Sequence, residues 1–206
     1  MRVATLSRRT VRLCFALVLY LCSGKGSSGQ GVPVVSAVLS AATFESSAVS
    51  PGEYIAVFGA NMSAGAAVLT SVSNGALPTD VGGTRLMFNG IAAPLLYVST
   101  GQINAIVPYG VTGNTANVVV ARQQQISVPL QANILSSHPG LFTLSQTGSG
   151  PIAASNQTGI LNSSTNAAPS GSVIVMYGTG MGALSPSCQD GRIATSSPLQ
   201  LSLIHI

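Results

Sequence analysis

The chain has 206 residues, of which 6% are charged and 46% apolar, with 23 Gly and 11 Pro. So little charge with so much apolar content excludes ordinary disorder, and the Val, Ala, Ser, Thr and Gly bias speaks for short strands and turns rather than helices. The formal net charge of +4 is carried by the leader, because Arg2, Arg8, Arg9, Arg12 and Lys25 all precede Gln30. The remainder sets Arg85, Arg122 and Arg192 against Glu45, Glu53, Asp80 and Asp190, which leaves no basic patch for nucleic acid.

Four arginines precede the apolar run Leu13 to Cys22, and small residues follow from Ser23 to Gly29. This is the pattern of a secretory signal peptide over residues 1–29, too short in its apolar part to span a membrane. Contact with the membrane is therefore expected only during export. A lipid anchor at Cys22 is disfavoured, since a lipobox needs a small residue where Leu21 stands. Removal of the leader also removes Cys14 and leaves Cys188 without an internal disulfide partner.

Val32 to Val38 reads as a first strand and Ala41 to Ser50 as a loop. Pro51 to Met62 (PGEYIAVFGANM) then reads as a turn, an apolar strand and a glycine where the chain bends. The same pattern returns in Ser170 to Met181 (SGSVIVMYGTGM). Gly52, Ile55, Phe58, Gly59 and Met62 meet Gly171, Ile174, Tyr177, Gly178 and Met181 at a constant offset of 119 residues. Tyr54 and Phe58 share one strand parity, as do Leu95 and Tyr97, which suggests that these aromatics pack in the core.

Arg85 to Phe88 runs into Asn89-Gly90, the strongest short-range hairpin signal, and Ala93 to Ser99 is the expected return strand. Thr100-Gly101 makes the next turn, and Gln102 to Val107 alternates as a strand with one wet face. Ala116 to Ala121 and Ile126 to Leu135 read as closing strands around the turn Arg122 to Gln125. Pro139 to Leu144 is a short strand, and Gly148 to Gly171 is a loop-rich stretch.

The motifs PGEYIAVFGANM, LPTDVGGTRLMFNGIAAPLLYVSTGQINAIVPYGV, HPGLFTL and SGSVIVMYGTGMGALSP occur in an order that resembles the uncharacterised Solibacter-type C-terminal domain of secreted acidobacterial proteins. The resemblance covers about Val34 to Leu199. Each half is also similar to the IPT/TIG type of immunoglobulin-like module. The resemblance implies a fold and a secreted location; it implies no activity, because none is established for that family. In many relatives such a domain ends a longer protein, whereas here it follows the leader almost directly.

The expected architecture is thus all-β: tandem immunoglobulin-like β-sandwich modules, the second truncated. The first module spans 30–136. A linker and the first part of the second span 137–200. Leu201 to Ile206 (LSLIHI) matches a translated sequencing adapter and is expected to be an artefact. Residues after about Gly182 should then lack partner strands.

Chemistry is sparse. His138, before Pro139-Gly140, is the one credible base for a Ser-His-Asp relay, and a polar turn residue is the favoured reading. No Gly-x-Ser-x-Gly elbow occurs, and Cys188 sits in a loop-like segment. Gly178 to Gly182 follows a strand but lacks the dinucleotide spacing and a following helix. Neither His nor Cys has metal-ligand spacing. No catalytic residue, metal site or cofactor is expected. A polar ladder of Gln102 and Asn104, with Tyr109 as the exposed aromatic, is the candidate interaction surface. The function read from the sequence is a non-enzymatic secreted or cell-surface module with a structural or adhesive role. Its partner would be a protein or glycan at the bacterial cell surface. The alternative is an accessory carbohydrate-binding domain of a longer extracellular protein.

Overall fold

A computed structural model describes residues 31–193 and, as backbone, the short strand at 201–202. The signal-peptide reading with Cys14 and Cys22, and residues 203–206 of the adapter reading, lie outside the described residues. Among the described residues there is no helix, so the protein is all-β as its composition requires.

The strands in order are β1 (Val34–Ser40), β2 (Tyr54–Ala60), β3 (Val68–Leu69), β4 (Thr84–Phe88), β5 (Ile91–Ala92), β6 (Leu95–Val98) and β7 (Gln102–Ile106). There follow β8 (Thr115–Arg122), β9 (Gln125–Ile126), β10 (Leu130–Asn133), β11 (Gly140–Leu141), β12 (Ala154–Asn156), β13 (Ile174–Met176), β14 (Gly178–Thr179), β15 (Leu184–Ser185) and β16 (Leu201–Ser202). One antiparallel sheet runs β1-β2-β7-β6-β3 and a second runs β10-β8-β4-β5, with β9 also paired to β8. Their facing sides share one core of Val38, Ile55, Val57, Leu86, Phe88, Leu95, Ile103, Val118 and Val120 with their buried neighbours. Burying each such side chain contributes about 1.5–3 kcal/mol, which is what closes the sandwich.

Turn chemistry places the strands. Asn89 and Gly90 both take positive φ, 48° and 84°, as a type I′ hairpin demands. The return strand, however, is not continuous. Ile91–Ala92 closes the hairpin against Met87–Phe88. The chain then leaves for the other sheet, where Leu95–Val98 pairs with β7. Pro94 stands at the crossover and has no N–H with which to extend the ladder. Pro129 likewise splits the expected strand Ile126 to Leu135 into β9 and β10.

The second copy of the repeated motif pairs in the register of the first. Val57, Ala56 and Ile55 lie opposite Val38, Leu39 and Ser40; Met176, Val175 and Ile174 lie opposite Ala154, Ser155 and Asn156. Gly59 faces Val35, and Gly178 faces Leu141. The first copy needs only a bulge between Val35 and Ala37, whereas the second inserts Phe142 to Ala153 at the same place. The repeated glycine also has a reason. A Cβ at Gly59 would collide with the Val34 carbonyl oxygen, and one at Gly178 would lie 2.9 Å from the Gly140 carbonyl oxygen.

Part of the described stretch after Gly182 has partners that the sequence did not lead one to expect. Leu77 donates its N–H to the Gly191 carbonyl at 2.9 Å, and Ile193 donates to Gly75 at 3.1 Å. Ala76 forms a bridge with Arg192, and Leu184–Ser185 pairs with Leu201–Ser202. Some backbone groups of the described part of this stretch thus find partners on the first sandwich and in β16.

Candidate interaction face

The alternation of β7 sends Ile103 and Ala105 into the core and Gln102 and Asn104 to the outer face of the first sheet. There they are joined, because Gln102 Nε2 donates to Asn104 Oδ1 at 2.7 Å and Asn104 Nδ2 donates to the Tyr54 hydroxyl at 3.3 Å. Register sets the neighbours: Phe58 lies opposite Gln102 on one side, and Tyr97 lies opposite Asn104 on the other. All five side chains are half-buried.

Two expectations for these aromatics are corrected. Tyr54 and Phe58 lie on the face opposite Ile55 and Val57, half-buried and outside the core, with the Tyr54 ring 6.1 Å from that of Phe142. Leu95 is fully buried while Tyr97 is partly open, although the two share sequence parity. The register shift between Leu95 and Tyr97 is the cause. An extra residue in one strand reverses which face the following side chains take.

Tyr109 does not join the ladder. Its ring lies over Gly52, where a Cβ would come within 2.5 Å of it, and its N–H donates to Asp190 Oδ1 at 2.6 Å. The ring is half-buried rather than exposed. Burial chiefly, with Cys188 and Asp190 nearby, raises its phenol above the ordinary 10.0. The candidate face therefore keeps Gln102 and Asn104, loses Tyr109, and gains Tyr54, Phe58 and Tyr97.

A second polar cluster lies beside this face. Glu53 is completely buried. It accepts from the Ser50 N–H at 2.8 Å and the Ser50 hydroxyl at 3.3 Å, and its other oxygen is 3.1 Å from His138 Nδ1. The second ring nitrogen of His138 is 3.9 Å from the exposed Glu45. A buried carboxylate is sustained only by such partners. Ser50 is bonded to the carboxylate rather than to the histidine, so these three groups do not form the relay that the sequence brought to mind. They tie the entry of β2 to the chain leading into β11. The sequence signal for Glu53 was its place in PGEY, one of four acids, directly before an apolar strand.

Cys188 is partly exposed and its thiol donates to the Gln189 carbonyl at 3.3 Å. Among the described residues no group of three or more His, Cys, Asp or Glu is placed to hold a metal ion. At the open side of the sandwich, between the edge strands β1 and β10, lie grooves of about 260 and 380 Å³; the larger is lined by Val32, Val34, Val128 and Leu130.

Fold and face together define an all-β protein of antiparallel sheets. No family model matches the chain, and no curated protein matches it. Among solved structures, the Gamma-CGTase from Alkalophilic bacillus clarkii is similar over 54% of this chain, at 16% identity and a TM-score of 0.38. The match spans 14% of that protein's length.

Proposed function

We propose that this protein is a non-enzymatic secreted or cell-surface interaction module, and that the outer face of the first sheet is its contact surface. The reading keeps the immunoglobulin-like, Solibacter-type resemblance and the export signal as its frame. It rests on one observation: Tyr54, Phe58 and Tyr97 surround the Gln102–Asn104 pair on one sheet face. Rings give contact area at low entropic cost, and the amides give directional hydrogen bonds, on strands that hold them rigidly.

The same arrangement favours a second reading, accessory carbohydrate binding, in which the rings stack on sugar faces and the amides meet hydroxyls. Tyr97 decides between them better than Tyr109, which is occupied by Gly52 and Asp190. The test is retention of the secreted protein on its own cells and on a panel of insoluble polysaccharides, with Tyr97→Ala and Asn104→Ala. The first reading expects cell retention that drops at least tenfold in both variants, with no polysaccharide bound. Polysaccharide binding lost with Tyr97→Ala establishes the second. Retention unchanged in both variants removes this face from either account.

A further inference from the structure

The sequence holds the dipeptide Asn-Gly twice, at Asn74-Gly75 and at Asn89-Gly90. Both pairs form two-residue turns with the same backbone: φ is 53° and 75° in the first, 48° and 84° in the second. Ser73 and Ala76 close the first turn with main-chain hydrogen bonds of 2.9 and 3.1 Å, and Phe88 and Ile91 close the second. All four turn residues are exposed. One chemical group thus occurs twice in one local shape, and what differs is how each copy is held.

Asn89 is anchored. Its N–H donates to the Asn117 carbonyl at 3.0 Å, its Oδ1 accepts the Asn117 N–H at 2.8 Å, and its Nδ2 donates to the Thr115 carbonyl at 3.5 Å. Those partners belong to β8, an inner strand of the second sheet. Asn74 has no such anchor. Among the described residues its side-chain amide has no hydrogen-bond partner. Its turn is closed only by the isolated bridge of Ser73 with Ala76, outside every strand. A turn held by so few bonds opens locally at low cost.

An asparagine side chain can react with the main-chain nitrogen that follows it. The Gly75 nitrogen loses its proton and bonds to Asn74 Cγ; the Cγ–Nδ2 bond breaks, and Nδ2 leaves with a proton as ammonia. Water then opens the five-membered succinimide at either carbonyl. Opening at Cγ gives aspartate. Opening at the main-chain carbonyl gives isoaspartate, whose backbone runs through the side-chain carbon. Glycine obstructs the approach least, because it has no Cβ. In a type I′ turn the glycine nitrogen points away from the asparagine Cγ, so the turn must open and the amide must be free to move. Both conditions are met at Asn74 and neither at Asn89.

We propose that Asn74 is a site of spontaneous deamidation, and that its isoaspartate product releases residues 191–193 from the first sandwich. The turn is where that segment docks. Gly75 accepts the Ile193 N–H at 3.1 Å, Ala76 bridges Arg192, and Leu77 donates to Gly191 at 2.9 Å. Isoaspartate lengthens the main chain by one carbon just before Gly75, which puts these three residues out of register with 191–193. Aspartate adds the charge without the carbon and leaves the register intact. The reactants are the chain and water alone.

The test holds the full chain in warm, mildly alkaline buffer and follows both asparagines by peptide mass spectrometry, with fragmentation that separates isoaspartate from aspartate. In the folded protein Asn74 is expected to convert at least tenfold faster than Asn89, and in denaturant the two should convert at comparable rates. Equal rates in the folded protein overturn the proposal. So does an Asn74 that survives intact while the denatured chain converts fully. Hydrogen exchange at the amides of Leu77 and Ile193 should be at least tenfold faster in the isoaspartate fraction and unchanged in Asn74→Asp. Asn74→Gln, whose ring closure is six-membered and slow, should give no product and keep its protection; Gln123 and Gln146 already take positive φ in this chain. Unchanged exchange in the isoaspartate fraction overturns the release. Protection lost in Asn74→Asp would assign the release to charge and overturn it too.

Discussion

The strands Tyr54–Ala60 and Ile174–Met176 begin from the same short motif and end in opposite surroundings. Ile55 and Val57 are fully buried, with β1 and β7 on their two edges and a second sheet across their inner face. Ile174 and Met176 keep the turn before them and the register beside them, yet both stand open. Even the turn is reproduced: Glu53 donates to Ser50, Ser172 donates to Pro169, and Gly52 and Gly171 take φ of 75° and 81°. The lesson is that an apolar alternating segment fixes a strand and its turn, while burial comes only from the sheets that arrive around it.

The largest expected effect breaks the comparison directly. Ile55→Ala removes packing from a filled core and should cost about 2–5 kcal/mol. Ile174→Ala, at the matching position, should stay within about 0.5 kcal/mol. Denaturant midpoints of the two variants decide it; equal losses would mean that β13 is covered in solution.

The next contrast lies one turn earlier. Glu53→Ala leaves the Ser50 N–H and the His138 ring without their acceptor in a buried place, and should cost about 1–3 kcal/mol. Ser172→Ala removes an exposed hydroxyl that bonds Pro169 and should stay within about 0.5 kcal/mol. If thermal unfolding showed the two variants alike, the tie between Glu53 and His138 would contribute nothing.

The smallest effect concerns the stretch that folds back. Folding raises the Tyr109 phenol above its unfolded 10.0, so the folded state holds that proton more tightly. Its contribution is full below pH 10 and is lost as pH rises through the folded value. Stability measured against pH should therefore fall in that alkaline window, and less steeply in Tyr109→Phe. An identical slope in the variant would detach Tyr109 from the effect.

Much of this was legible from local chemistry. Composition set the all-β class, Asn89-Gly90 set a hairpin, and the constant offset between Gly59 and Gly178 pointed to a repeated turn, strand and glycine bend. Strand parity gave Gln102 and Asn104 their outer face, because alternation needs only neighbouring residues. It failed for Tyr97, where a bulge between Leu95 and Tyr97 shifts the count by one. It also misassigned Tyr54 and Phe58, because parity groups residues without saying which group faces inward.

The sequence by itself determined the all-β class, the Asn89-Gly90 hairpin and the recurrence of one strand motif, since these depend on composition and on residues a few positions apart. Only the tertiary structure decided which repeat is buried, that Pro94 sends the chain to the other sheet, and that Glu53 meets His138 across 85 residues. It also decided that Asp190 caps Tyr109. Such contacts join distant segments, and their energies come from desolvation and partner geometry, which no local pattern encodes.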